Sequence, residues 1–329
     1  MTKEDLRIIF MGTPEFAVET LKALVLNGYH VVAVVTQPDK PVGRHGSVLQ
    51  SSAVKQYAVE HGIPVLQPEK MKDPQFVETL RSYRANLQVV VAFRMLPEVV
   101  WAMPDYGTFN VHAALLPQYR GAAPINWAVI NGETQTGVTT FFLDHDIDTG
   151  RIIMKKTFDI PDDADVEYVY DGLMHLGAEI CLETLQAIID ADGYPVTIAQ
   201  DDANSQQPIA NSPLKSAPKI FKETCEIDWT KTAKQVYDFV RGLSPYPGAW
   251  TTLVTPDDKE TVLKIIKTRK TGLECQAETG SLRIEGKQLQ VAAADQWLQL
   301  EELQLAGKKR MAVRDFLNGM KDIDQCRIK

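Results

Sequence analysis

At 329 residues the chain is longer than one ordinary hydrophobic core accommodates, so two domains are expected. The composition, 44% hydrophobic and 24% charged, is that of a soluble globular protein and excludes a disordered one. No apolar run approaches the ~20 residues of a membrane span, and the opening Met-Thr-Lys-Glu-Asp carries no cleavable signal pattern, so a cytoplasmic protein is expected. The net charge of −8 is unevenly spread: residues 1–205 hold 15 Lys and Arg against 27 Asp and Glu, and residues 206–329 hold 20 against 16. An acidic half joined to a mildly basic half keeps a phosphate-bearing partner open.

In chain order, Leu6–Met11 (LRIIFM) predicts a buried strand. After Gly12, Thr13 is expected to cap a helix with Pro14 at its first position, and Gly28 to stop it in a left-handed conformation. His30–Thr36 predicts a second strand, and Ser51 or Ser52 the cap of a helix ending at His61-Gly62. Leu87–Ala92 and Gly107–His112 predict further strands, separated by a short helical turn after Pro97. Continuous Val/Ile strands with helices between them predict an α/β domain with a doubly wound, Rossmann-like parallel sheet. Val166 to about Ile189 has helical spacing and closes it. Residues 193–215 have the Pro, Ser, Asn, Gln and Asp content of a linker, dividing a domain over 1–192 from a smaller one over 216–329. That second domain reads as a helix over Lys231–Leu243 and strands over Val262–Lys267, Gly280–Ile284, Gln288–Ala293 and Leu298–Leu305, the texture of a small β-barrel.

Open α/β sheets place ligands at the carboxyl ends of their strands. Asn110 and His112 lie two apart in Phe109-Asn110-Val111-His112, so they share one face of a strand. An amide and an imidazole there can stabilise an oxyanion and move a proton; the bland reading is a satisfied pair at a strand end. The run Asp144-His145-Asp146-Ile147-Asp148-Thr149-Gly150 invites a calcium-loop reading, which fails because its glycine is seventh and its twelfth residue is Lys155. It reads instead as a turn between strands, offering a carboxylate partner to an imidazole or simply a solvated acidic turn. Leu115-Leu116-Pro117 opens a loop fit to shape a pocket, and Gly43-Arg44 lies in a long polar loop. Gly12-Thr13-Pro14-Glu15-Phe16-Ala17 lacks G-x-G-x-x-G, which excludes a dinucleotide oxidoreductase. The cysteines at 181, 225, 275 and 326 lie more than forty residues apart, with no metal-ligand spacing; free thiols packed as small hydrophobes are expected, and no metal.

FMGTPEFAV, TQPDKPVGR, FNVHAALLPQYRGAAPINWAVINGE, LDHDIDTG, APKI, IDW, SPYPGAW and LQLAGKKRM occur in that order along nearly the whole chain. Together they resemble the folate-dependent formyltransferases, and the second-half motifs and the Gly43-Arg44 loop resemble the branch that acts on tRNA. The resemblance implies transfer of the formyl group of 10-formyltetrahydrofolate to the amino group of initiator methionyl-tRNA, without a metal, by a monomer. It implies a folate-binding catalytic first domain and an OB-like, tRNA-binding second one. It makes Asn110, His112 and Asp148 the catalytic trio: Asn110 and a protonated His112 would stabilise the negative oxygen of the tetrahedral species, and Asp148 would orient the imidazole. It assigns folate contacts to Phe93, Arg94, Met95, Leu96, Pro97, Leu115, Leu116, Pro117 and Asp144. It assigns tRNA contacts to Arg44, Lys219, Lys308, Lys309 and Arg310. The 93–97 segment is one residue shorter than the commoner Tyr-Gly-Leu-Ile-Leu-Pro pattern and carries Arg94. Two other functions stay open: formylation of a small amine, which needs no basic second domain, and non-catalytic RNA binding, which needs no catalytic trio.

Overall fold

The structure, a computed structural model, describes residues 1–42, 48–201, 213–320 and 323–329. Its contacts divide into two units, each assembled from three segments of chain. The first unit holds Met1–Gly121, Gln135–Asp159 and Tyr170–Ser216; the second holds Ala122–Thr134, Ile160–Val169 and Ala217–Lys329.

The first unit is built on one seven-stranded sheet. Its strands are β1 (Arg7–Gly12), β2 (His30–Val35), β3 (Val65–Leu66), β4 (Leu87–Val91), β5 (Thr108–His112), β6 (Gln135–Phe142) and β7 (Ile152–Asp159), in the order β7-β6-β5-β4-β1-β2-β3. The five strands from β5 to β3 are parallel, whereas β6 is antiparallel to β5 and β7 to β6. The unbroken apolar runs follow from this position: Ile8, Ile9, Phe10 and Met11 of β1 are all fully buried, which only a central strand covered on both faces achieves. Each such side chain contributes roughly 1.5–3 kcal/mol of apolar burial.

Helices α1 (Glu15–Leu26), α2 (Ala53–Glu60), α3 (Pro74–Ser82) and α4 (Glu98–Trp101) follow the strands. Phe76, Val77 and Leu80 of α3 and Val100 of α4 pack with Ile9, Met11, Val35 and Val90 of the sheet. Ser52 caps α2, its Oγ accepting from Lys55 N at 3.1 Å. Gly28 stops α1 at φ +70°. The start of α1 differs from expectation: Pro14 itself holds the cap position in an extended conformation, and the Thr13 hydroxyl is buried without a hydrogen-bond partner. The helix α5 (Val166–Asp190) belongs to this unit from Tyr170 onward.

The second unit comprises α6 (Ala233–Gly242), β8 (Ala249–Val254), β9 (Glu260–Glu274), β10 (Leu282–Glu285), β11 (Gln288–Ala292), β12 (Gln296–Leu305), β13 (Met311–Ala312), α7 (Val313–Gly319) and β14 (Arg327–Ile328). The strands form a curled antiparallel sheet, a half-barrel, in the order β10-β11-β12-β9-β8-β14, with β13 on β12. It wraps Val240, Leu253, Ile265, Leu298 and Phe316. Thr232 starts α6 with a capping box, exchanging hydrogen bonds with Gln235 at 3.2 and 3.1 Å. Three strands, β8, β13 and β14, exceed the sequence reading, and the expected Val262–Lys267 is the first part of a fifteen-residue strand that three register shifts bend.

The early segments are woven into this unit. Asn126 Nδ2 donates to Gly242 O at 2.9 Å, Trp127 Nε1 to Pro218 O at 2.8 Å, and Ile130 packs on the core. Arg241 and Asp238 form a buried pair at 2.8 Å, and Arg241 also donates to Ala164 O at 2.7 Å. No helix among the described residues is long and apolar enough to cross a membrane. The four cysteines are free; Cys181, Cys225 and Cys326 are buried, and burial pushes the Cys181 thiol well up.

Candidate active site

The sheet sets the position of the site. The chain builds β1, β2 and β3 outward in one direction and then returns to place β4 on the other side of β1, so the order reverses between β1 and β4. A crevice opens at such a reversal, beyond the carboxyl ends of the strands. Thr13, with its unpaired hydroxyl, follows β1; residues 92–97 follow β4; and His112 ends the neighbouring β5.

His112 is 6% exposed and held from two sides. Its Nε2 lies 2.9 Å from Tyr119 O, and because a carbonyl can only accept, Nε2 carries the proton. Its Nδ1 faces Asp148 Oδ2 at 3.8 Å, which is an ion-pair distance and too long for a hydrogen bond. Asp148 is itself fixed: it sits at φ +55°, and its Oδ2 accepts from Gly121 N at 2.9 Å. The floor beneath is apolar, with Phe141 edge-on to the imidazole at 6.4 Å between centroids. Thr139, opposite His112 on β6, donates to Ala114 O at 2.6 Å and accepts from Leu116 N at 3.1 Å, which ties the loop after His112 to the sheet. Asn110, two residues before His112, has a buried Oδ1 with no partner. A buried amide leaves an acceptor unpaired only at a cost of about 1–3 kcal/mol, so Asn110 is not held in place for stability, and its Nδ2 is the end that can donate to a ligand.

The turn bearing Asp148 joins the antiparallel β6 and β7, a turn between strands as the sequence predicts. It has almost no room. A Cβ on Gly150 would fall 1.7 Å from Phe142 O, so Gly150→Ala must displace the turn. The expected result is a loss of ~1–3 kcal/mol of stability and at least ~10²-fold in turnover, measured by thermal denaturation and kcat. A variant as stable and as fast as the parent would show that the turn is not fixed by this contact.

The other expected residues scatter more. Arg94 donates to Pro68 O and to Glu69 O, the latter at 2.9 Å, and its guanidinium stands 5.7 Å from the Phe93 ring. Met95 is exposed and Leu96 and Leu116 are buried; Leu116 packs with Phe141 and Ile152. Pro97 is the N-cap of α4, Leu115 is half-buried and Pro117 buried. Asp144 is exposed, and its Oδ1 accepts from Thr149 Oγ1 at 2.6 Å and Asp146 N at 3.2 Å, which stabilises the turn internally. Lys219 stands over the Phe221 ring at 5.4 Å. Lys308, Lys309 and Arg310 are exposed in the turn between β12 and β13, and Arg310 is paired with Glu302. Arg44 lies outside the described residues, between the paired stretches Lys40–Val42 and Val48–Gln50.

Sequence reasoning missed Arg120 and Gln200. Arg120 was read only as part of a loop, and Gln200 was hidden in linker composition. The turn at 148–150 leaves two carbonyls that need donors, which was the available signal.

Comparison with known proteins shows what the chain as a whole is similar to. Residues 6–185 match the family described as Formyl transferase, and residues 219–321 the family described as Formyl transferase, C-terminal domain. The chain is 60% identical over 326 residues to a methionyl-tRNA formyltransferase of Parabacteroides distasonis, covering 98% of each. It is 55% identical over 320 residues to that of Bacteroides fragilis, covering 97% of this chain and 96% of the relative. Among solved structures, HypX from Aquifex aeolicus in complex with tetrahydrofolic acid superposes with a TM-score of 0.60 at 18% identity, covering 97% of this chain and 47% of that one. The sugar 3N-formyltransferase WlaRD gives 0.61 at 18% identity, covering 92% and 99%; both share the fold. With the two family matches spanning both halves and relatives this similar along their whole length, the chain belongs to the formyl transferase family.

Proposed function

We propose that this protein transfers the formyl group of 10-formyltetrahydrofolate to the amino group of initiator methionyl-tRNA, in the cytoplasm and as a monomer. The observation that carries the reading is His112, buried, held through Nε2 by Tyr119 O and facing the Asp148 carboxylate through Nδ1, two residues from Asn110, whose buried amide oxygen has no partner. The relatives' names supply the acceptor.

The chemistry follows from these groups. The methionyl amine attacks the formyl carbon, negative charge grows on the formyl oxygen, and the Asn110 amide and the His112 imidazolium stabilise it. Asp148 orients the imidazole and accepts the amine proton through water; the tetrahedral species then collapses with cleavage of the formyl C–N10 bond, N10 takes that proton back through the same water, and tetrahydrofolate leaves. The crevice beside Thr13 and residues 92–97 takes the folate, with Leu115, Pro117 and Asp144 at its margin. Residues 1–192 carry the catalytic groups, 193–215 join them to the second half, and 216–329 supply the tRNA platform, with 122–134 and 160–169 built into the same unit as that platform. The test is incubation with 10-formyltetrahydrofolate and either charged initiator tRNA or free small amines. Formyl-methionyl-tRNA is expected; formylation of an amino sugar or purine precursor instead would overturn the choice of acceptor.

Arg44, Lys219, Lys308 and Lys309 are proposed to meet the tRNA backbone. Three to five phosphate contacts give a log–log slope of affinity against salt of roughly −2 to −4. Replacing Lys308 and Lys309 together with Ala should reduce that slope by about 1–2, measured from ~50 to ~200 mM salt. Arg310→Ala should leave it unchanged, because Glu302 already neutralises Arg310. An unchanged slope in the double variant would make the cluster a solvated face.

A further inference from the structure

Gln200 is 4% exposed although it lies in a stretch of linker composition. Its Nε2 donates to Asp148 O at 2.8 Å and to Gly150 O at 2.9 Å. Its Oε1 accepts from Arg120 Nε at 3.0 Å and from the Arg120 guanidinium again at 2.6 Å. Both protons and both lone pairs of the amide are therefore engaged, which no other side chain of this size supplies. Arg120 stands between Tyr119, whose carbonyl accepts a hydrogen bond from His112 Nε2, and Gly121, whose N–H donates to the Asp148 carboxylate. One amide thus joins the loop that fixes the imidazole to the turn that fixes the carboxylate.

The segment around it is anchored. Ile198 and Ile152 exchange backbone hydrogen bonds at 2.8 Å each, and Arg151 Nε donates to Thr197 Oγ1 at 2.8 Å. Beyond the linker, Lys215 N donates to Gln118 Oε1 at 2.8 Å and Lys215 O accepts from Tyr119 N at 2.6 Å. Both ends of the linker thus hold the 118–121 loop. Asp148 needs such support, since its positive φ is uncommon outside glycine and persists only where the surroundings over-determine it.

We propose that Gln200, oriented by Arg120, is a positioning residue for formyl transfer that sets the alignment of Asp148 with His112. This rests on the transfer reading above. The alternative is that Gln200 merely holds its segment on the sheet, in which case its loss would act independently of Asp148.

Gln200→Ala should lower kcat by about 10²-fold, a misplacement effect, with KM for both substrates changed less than about twofold. In an Asp148→Asn background the same substitution should cost less than about threefold, because the group it positions is already disabled. Gln200→Glu keeps an acceptor for Arg120 but sets a carboxylate oxygen against two carbonyls, so it should be as slow as the Ala variant. If Gln200→Ala fails to fold, Arg120→Ala tests the same link: it leaves both Nε2 donations in place, should cost about 10-fold, and should show the same non-additivity. Losses that multiply with that of Asp148→Asn would overturn the proposal. A second readout needs no substrate: the ¹⁵N resonances of the His112 ring, assigned through His112→Ala, should shift in Gln200→Ala. Unmoved resonances would overturn positioning. Parent protein that formylates no methionyl-tRNA would overturn the transfer reading alone, and the ring resonances would still decide the role of Gln200.

Discussion

Replacing His112 with Ala is expected to lower turnover by roughly 10²–10⁴-fold, the range for removing a positioned acid–base group. The ring is buried and oriented by Tyr119 O, so its loss removes a group held in one place. Substrate affinity should change far less than kcat, because His112 acts on charge that exists only as the acyl centre becomes tetrahedral. Single-turnover rates with saturating 10-formyltetrahydrofolate measure this without product release. Near-parental turnover would remove His112 from the chemistry and leave it a packed strand-end histidine.

Asn110→Ala is expected to cost about 10²–10³ in kcat, as when one donor to an oxyanion is removed. Its second signature separates it from structural substitutions. Asn110 Oδ1 is buried without a partner, so truncation breaks no hydrogen bond there and relieves an unpaired polar atom. Stability should therefore hold or rise while activity falls, the trade-off expected of a residue kept for function. Thermal denaturation beside steady-state kinetics measures both. If KM alone rises, Asn110 binds the ground state; if the protein loses stability with its activity, Asn110 is a structural residue.

What the sequence disclosed depended on how local each signal was. The parallel strands announced themselves because a strand buried on both faces must be apolar throughout, as Ile8–Met11 is. Asn110 and His112 were legible from the two-residue strand period, and Asp148 from its motif. The antiparallel β6 and β7 were sensed only as the flanks of a turn, since Thr-rich QTGVTTFF and Lys-rich IIMKKTFD lack a continuous apolar run. The helix start at Thr13 was misread by one position, because Pro14 takes an extended cap conformation and leaves the hydroxyl idle. Gln200 was illegible: its partners lie 52 and 80 residues away, and nothing local marks a glutamine as buried. The half-barrel was legible in kind but not in extent, since β8 begins only after Ser-Pro-Tyr-Pro-Gly and β9 bends through bulges that break the alternation.

The three-segment make-up of the second unit has a consequence for synthesis. Trp127, Ile130 and Ala164 leave the ribosome long before Pro218, Arg241 and Phe316, to which they are bonded or with whose core they pack. At about 5–20 residues per second, the 186 residues from Asn131 to Phe316 take roughly 10–40 s to make. Until Pro218, Arg241 and then the strands follow, the growing chain carries apolar side chains without their partners, so this unit is completed late in synthesis.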